Sequence, residues 1–186
     1  MMLYSSLRFS NVLGFFMCAL FLSCAGNPMG KTVKEPFSGS KYESNNRFYR
    51  STGKGSSKMD AVAQSQAEMR ARQQLAQQVQ SYFEVVTDDY QKSTTGQVVD
   101  DAMTRFETLA REITRTKLAD IRIIGSEKRQ TDDGSFTVYV AMEIRKSSMY
   151  RHLKKQARLS EEISSDQLQV IESMLDQLIE EADSEQ

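Results

Sequence analysis

The sequence predicts an α+β domain: a small antiparallel sheet of about three strands, covered on one face by two long helices and followed by C-terminal helices. Three observations predict it. Met59, Ala63, Ala67, Ala71, Leu75, Val79 and Phe83 recur every four residues, the spacing of one helix face. Phe136, Val138, Val140, Met142 and Ile144 then alternate strictly, as in a strand with one face buried. Asp133-Gly134 separates that run from Ile121-Arg122-Ile123-Ile124, which is a hairpin signal. The element order is β-α-α-β-β-α-α.

The elements follow from the N-terminus. Residues 1–23 have the pattern of a signal peptide: Arg8 and the amino terminus supply positive charge, and Val12 to Leu22 (VLGFFMCALFL) is apolar. That run is short of the roughly 20 apolar residues a membrane span needs. Residues 24–45 hold both prolines, several Gly and Ser, and no apolar period, so they are expected to be a tether. The α+β domain is expected over 46–159. Within it, Arg47 to Thr52 is expected as a short strand. Gly53-Lys54-Gly55-Ser56-Ser57 is expected as a strand-to-helix turn, with Gly for conformation and Ser56 or Ser57 as N-cap.

The first helix is expected from about Lys58 to Tyr90, with Val62, Met69 and Ala76 beside its stripe. Its three alanines would let it sit close to what it covers. Ser93-Thr94-Thr95-Gly96 breaks the pattern. A second helix follows from about Val98 to Thr116, with Val99, Ala102, Met103, Phe106, Leu109, Ala110 and Ile113 on one face. After the hairpin, the helical period returns from Ser147 to about Leu159. A last amphipathic helix over Asp166 to Ala182 falls in a segment, 160–186, taken as separate from the domain.

Composition narrows the function. The formal net charge is −1, so no global basic field favours nucleic acid, and no nucleic-acid partner is expected. Cys18 and Cys24 both lie in the N-terminal apolar region. The mature body therefore has no disulfide framework and no Cys-ligated metal. There is no Trp, which disfavours a sugar-stacking platform.

Phe21-Leu22-Ser23-Cys24 resembles a lipobox, where bacterial processing attaches lipid to cysteine and cleaves before it. Ser23 is a suitable small residue. Phe21 stands where Leu is usual, and Leu22 where a small residue is usual. Cys24 is thus the candidate lipid attachment site. Ordinary cleavage near Gly26 and an uncleaved anchor are the alternatives. Each buried methylene contributes about 0.8 kcal/mol, so one acyl chain such as palmitate binds marginally and two or three hold firmly.

Further features accompany the lipobox. A Gly-x-Gly-Ser segment, the alanine-rich run DAVAQSQAEMRARQQLAQQV, a Thr-rich second helix and the strand Phe136-Thr137-Val138-Tyr139-Val140-Ala141 follow in order. Over about residues 46–146 the chain resembles the LPP-twenty family of bacterial lipoproteins. The resemblance implies a cell-envelope lipoprotein, in the outer membrane facing the periplasm, with no established enzymatic activity. It supplies no catalytic residues.

No catalytic, metal or cofactor site emerges from the residues themselves. Gly53-Lys54-Gly55-Ser56-Ser57 lacks the spacing of a phosphate loop. His152 is the only histidine and is expected on an exposed helix face. Asp88-Asp89, Asp100-Asp101 and Asp132-Asp133 are adjacent pairs, whose side chains point apart, and are expected to serve turns and helix ends. Arg145, Lys146, Arg151, Lys154, Lys155 and Arg158 form the strongest local charge feature. It is either a solvated face or a surface for anionic lipid or polymer. Leu168, Ile171, Leu175 and Leu178 have the 3-4-3 spacing of a coiled-coil seam. They are candidate partner-binding residues for an envelope protein or a second copy, unless they pack on their own domain.

The expected function is thus a membrane-anchored, noncatalytic envelope scaffold or partner-binding protein, not an enzyme. The alternative is a periplasmic ligand-binding or hydrolytic module acting on cell-wall or saccharide material.

Overall fold

The computed structural model describes residues 33–116, 118 and 120–184. The predicted signal peptide and Cys24 lie outside the described residues. The chain divides into two compact units, Met1–Lys34 and Glu35–Gln186, and the second carries the fold below.

Its elements are β1 (Phe48–Ser57), α1 (Asp60–Ser93), α2 (Gln97–Thr116), β2 (Arg122–Gln130), β3 (Phe136–Arg145), α3 (Lys146–Leu159) and α4 (Ser165–Ser184). The three strands form one antiparallel sheet in the order β1-β3-β2. The α+β architecture is therefore as the sequence predicts. β3 is central because its alternating Val138, Val140, Met142 and Ile144 are all buried, whereas β2 has no buried residue. The β2–β3 register shifts between Ile123 and Gly125.

The expected turn at Gly53-Lys54-Gly55 is instead strand. β1 runs through it to Ser57, and Tyr49, Ser51, Gly53 and Gly55 all point to one buried face. That face meets Ala63, Ala67 and Ala71 of α1. A Cβ on Gly53 would lie 2.0 Å from the Ala67 carbonyl oxygen, and one on Gly55 2.0 Å from that of Ala63. Neither glycine has a positive φ; they are needed for space, not for turning. The Ser51 hydroxyl donates to the Ala71 carbonyl at 2.7 Å, which satisfies the one polar side chain in the seam. Strand backbone thus rests on helix backbone.

The helix begins later than expected, at Asp60. Ser57 is not its cap: its hydroxyl accepts the Met59 N–H at 3.1 Å, and Met59 itself is the N-cap residue. Met59 is exposed rather than part of the buried stripe, as are Val62 and Met69. The stripe from Ala63 to Phe83 is buried and extends to Thr87.

With 34 residues, α1 spans about 51 Å, well beyond the roughly 33 Å of a ten-residue strand. Its first half covers the sheet and its second half joins a helical cluster. There Phe83 packs edge-to-face on Phe106 of α2 (centroids 5.2 Å apart) and on Tyr150 of α3 (5.8 Å). Of the two long helices expected over the sheet, α1 does the covering; α2 packs on α1, α3 and α4. α4 is not separate from the domain, because Ile171, Met174, Leu175, Leu178 and Ala182 are buried in the common core.

Candidate functional site

Side chains alternate along a strand, so the second face of the sheet carries Phe48, Arg50, Thr52 and Lys54 of β1. By register, Glu143, Ala141 and Tyr139 of β3 lie beside the last three of these. Arg50 pairs with Glu143 at 3.0 Å, and its guanidinium lies 4.9 Å from the Phe48 ring centroid. Lys54 and Arg129 approach the Tyr139 ring at 5.3 and 5.8 Å. This face is amphipathic, with aromatic rings under cations.

Part of the segment expected as a free tether covers it. Glu35 pairs with Lys54 at 3.3 Å. The Phe37 ring sits on Gly125, where a Cβ would lie 2.6 Å from Cε1. Gly125 is the register partner of Ala141, and Ala141 is only 1 % exposed although it points away from α1. Phe37 also packs edge-to-face on Tyr42 at 5.0 Å. Ser38 donates to the Glu35 carbonyl (2.8 Å) and the Tyr42 N–H to that of Gly39 (2.9 Å). Phe37 (φ 59°) and Gly39 (φ 109°) both have left-handed backbone. Ser44 Oγ accepts the Arg50 N–H at 2.8 Å, and Asn45 Oδ1 accepts those of Arg47 and Phe48. Residues 35–45 thus form a strap that belongs to the domain, not a linker to it. Pro36, Gly39 and Ser38 read as linker composition; the aromatic pair Phe37 and Tyr42 is the signal of a packed seat.

The sequence-predicted candidates are placed differently. Cys24 lies outside the described residues. Ile171, Leu175 and Leu178 are buried and Leu168 is partly buried against the core, so the chain's own α2 and α3 occupy the face considered for a partner. The basic run is largely neutralised by α4. Arg145 and Arg151 reach Asp183, Lys154 holds Asp176 at 2.6 Å, and Arg158 reaches Glu172. His152 is half-buried on α3 rather than exposed. Asp133 accepts from Thr131 and Ser135 within the hairpin turn, and these bonds hold its carboxyl below the usual range. Asp100 and Asp101 accept from Gln91 and Gln97. Asp89 pairs with Lys92.

Sequence reasoning missed the aromatic junction between sheet and helices. Tyr49 of β1, Tyr82 of α1 and Tyr150 of α3 converge there. The Tyr49 and Tyr150 hydroxyls are 3.3 Å apart, and the Tyr82 and Tyr150 rings stack at 6.2 Å. Lys146 lies over Tyr49 (4.6 Å) and Tyr82 (5.2 Å). Burial pushes the Tyr49 and Tyr150 phenols far above their ordinary value, which keeps both neutral in the folded protein, one hydroxyl donating to the other. Beside this junction lies a cleft of about 410 Å³, bordered by Tyr82, Tyr150, Lys146 and Glu181.

Among the described residues, no group of His, Cys, Asp and Glu could hold a metal ion, and no helix is long and apolar enough to cross a membrane. Comparison with protein families, curated proteins and solved structures finds no match.

Proposed function

We propose that this chain is a lipid-anchored lipoprotein of the bacterial cell envelope whose folded body binds a partner and performs no catalysis. The observation that carries the reading is the apolar run Val12 to Leu22 ending at Ser23-Cys24. A cysteine there, after a segment too short to span a bilayer, suits lipid attachment. The resemblance to LPP-twenty lipoproteins supports the same envelope location, at the outer membrane facing the periplasm. The amphipathic outer sheet face, with its rings and cations, supports a binding role for the body.

Detergent phase partition and labelled-palmitate incorporation test the anchor. Wild-type protein is expected in the detergent phase and labelled. Cys24→Ala protein is expected in the aqueous phase and unlabelled, or retained as unprocessed precursor. A Cys24→Ala protein that is processed and partitions like wild type would overturn the lipid assignment.

A further inference from the structure

The strap resembles a ligand held in place by its own chain. It brings a carboxylate, Glu35, to Lys54, and a ring, Phe37, to a seat made by two residues with almost no side chain, Gly125 and Ala141. The seat lies where the β2 register shifts, and bulges of this kind re-aim strands near binding sites. Its rim carries Lys54 near the Tyr139 ring, with Arg129 near the same ring and paired to Glu127. The occupant is complementary in both respects, acidic at one end and aromatic at the other.

The occupant is also under tension. Phe37 has a φ of 59°, a conformation that bulky residues rarely adopt. Surrounding contacts must hold it there. Its ion pair with Lys54 is exposed on both sides and therefore weak. A peptide entering from outside would make the same two contacts without the same backbone constraint.

We propose that the outer face of the sheet around Gly125, Ala141 and Lys54 is a docking surface for a peptide turn of a partner protein, one carrying a carboxylate two residues before an aromatic ring, and that Glu35-Pro36-Phe37 occupies this surface as an internal competitor. This deepens the partner-binding part of the proposed function and is independent of the lipid. The strap's effective concentration is on the order of millimolar, as for any short intramolecular link. An external peptide therefore binds the intact protein weakly and gains when the strap is disabled.

The test uses full-length protein in detergent micelles and a fluorescent peptide with the sequence of residues 33–42, read by anisotropy. Phe37→Ala is expected to bind the peptide at least about tenfold more tightly than wild type. Adding Gly125→Leu, which fills the seat from the outer face, is expected to abolish that gain. A peptide with its phenylalanine replaced by alanine is expected not to bind. Glu35→Lys disturbs only the exposed ion pair and is expected to raise binding severalfold, which keeps the test open should Phe37→Ala weaken the fold. Circular dichroism confirms folding in each case. Folded Phe37→Ala and Glu35→Lys proteins that bind no more peptide than wild type would overturn the proposal, as would binding insensitive to Gly125→Leu. The same measurement on Cys24→Ala protein is expected to be unchanged, so failure of the anchor and failure of the docking surface are separable.

Discussion

Gly53 and Gly55 are fixed by what lies across from them. A methyl group at Gly55 would overlap the Ala63 carbonyl at 2.0 Å and the Ala67 nitrogen at 2.7 Å, and backbone cannot turn aside as a side chain can. Gly55→Ala is therefore expected to cost about 3 kcal/mol or more, a fall in melting temperature of roughly 6–12 °C for a domain this size. Gly134→Ala is the contrast. Its Cβ would meet nothing within 4 Å, but its φ is 79°, so a loss nearer 1 kcal/mol is expected. Thermal melts by circular dichroism compare the two; equal losses would contradict the close-packed seam. This difference was not legible beforehand. Glycine in a Gly-x-Gly-Ser run signals a turn by frequency, and one sequence does not separate glycine needed for φ from glycine needed for room. The alternation of Tyr49, Ser51, Gly53 and Gly55 was the available signal, because it continues the strand period opposite a stripe of alanines.

At the scale of elements, periodicity served well where a face is buried by side chains. The stripes of α1 and α2, and the alternation of β3, were readable because each buries one regular face. α4 was equally readable as an amphipathic helix, yet its partner was not, since 3-4-3 spacing describes a seam without naming what fills it. The answer lies in α2 and α3, and in the acids of α4 that neutralise the basic run. Those ion pairs are mostly exposed and contribute little each; the apolar seam does most of the holding. Leu175→Ala is expected to cost about 2–5 kcal/mol. Deleting residues 160–186 is expected to destabilise the body without changing its oligomeric state by light scattering. A smaller assembly after deletion, with stability kept, would restore α4 to a partner role.

At the scale of the whole molecule, the buried tyrosine pair couples stability to pH. The Tyr49 and Tyr150 phenols titrate far above their ordinary value of 10.0 when folded, chiefly through burial, and near that value when unfolded. Raised folded values on an acid favour the protonated native state. Their contribution is present in full below pH of about 10 and is lost as pH rises above it, because the unfolded chain then releases protons the native state retains. With two such groups the slope approaches about 2.7 kcal/mol per pH unit. Tyr49 and Tyr150 are expected to ionise, by ultraviolet absorbance, only as the circular dichroism signal collapses. Titration of every tyrosine in a still-folded protein would contradict the buried junction. None of this was legible in the sequence, because Tyr49, Tyr82 and Tyr150 are far apart in the chain and meet only when sheet and helices close. The strap is hidden for the opposite reason: its residues are neighbours, but Pro, Gly and Ser conceal the two rings, Phe37 and Tyr42, that pack together in it.

The strand-on-helix seam also bears on the order in which the chain organises itself. β1 and α1 are separated by only Lys58 and Met59, and Ser51 meets Ala71 just 20 positions along. β1 and β3, by contrast, pair residues as distant as Phe48 and Arg145. Closing the short loop costs less entropy than closing the long one, so the βα unit is the natural nucleus on which the later hairpin assembles. Ala67→Gly should then slow refolding in stopped-flow almost in proportion to the stability it removes, while Val140→Ala should chiefly hasten unfolding. The closeness of two backbones would thereby set the pace of folding as well as its outcome.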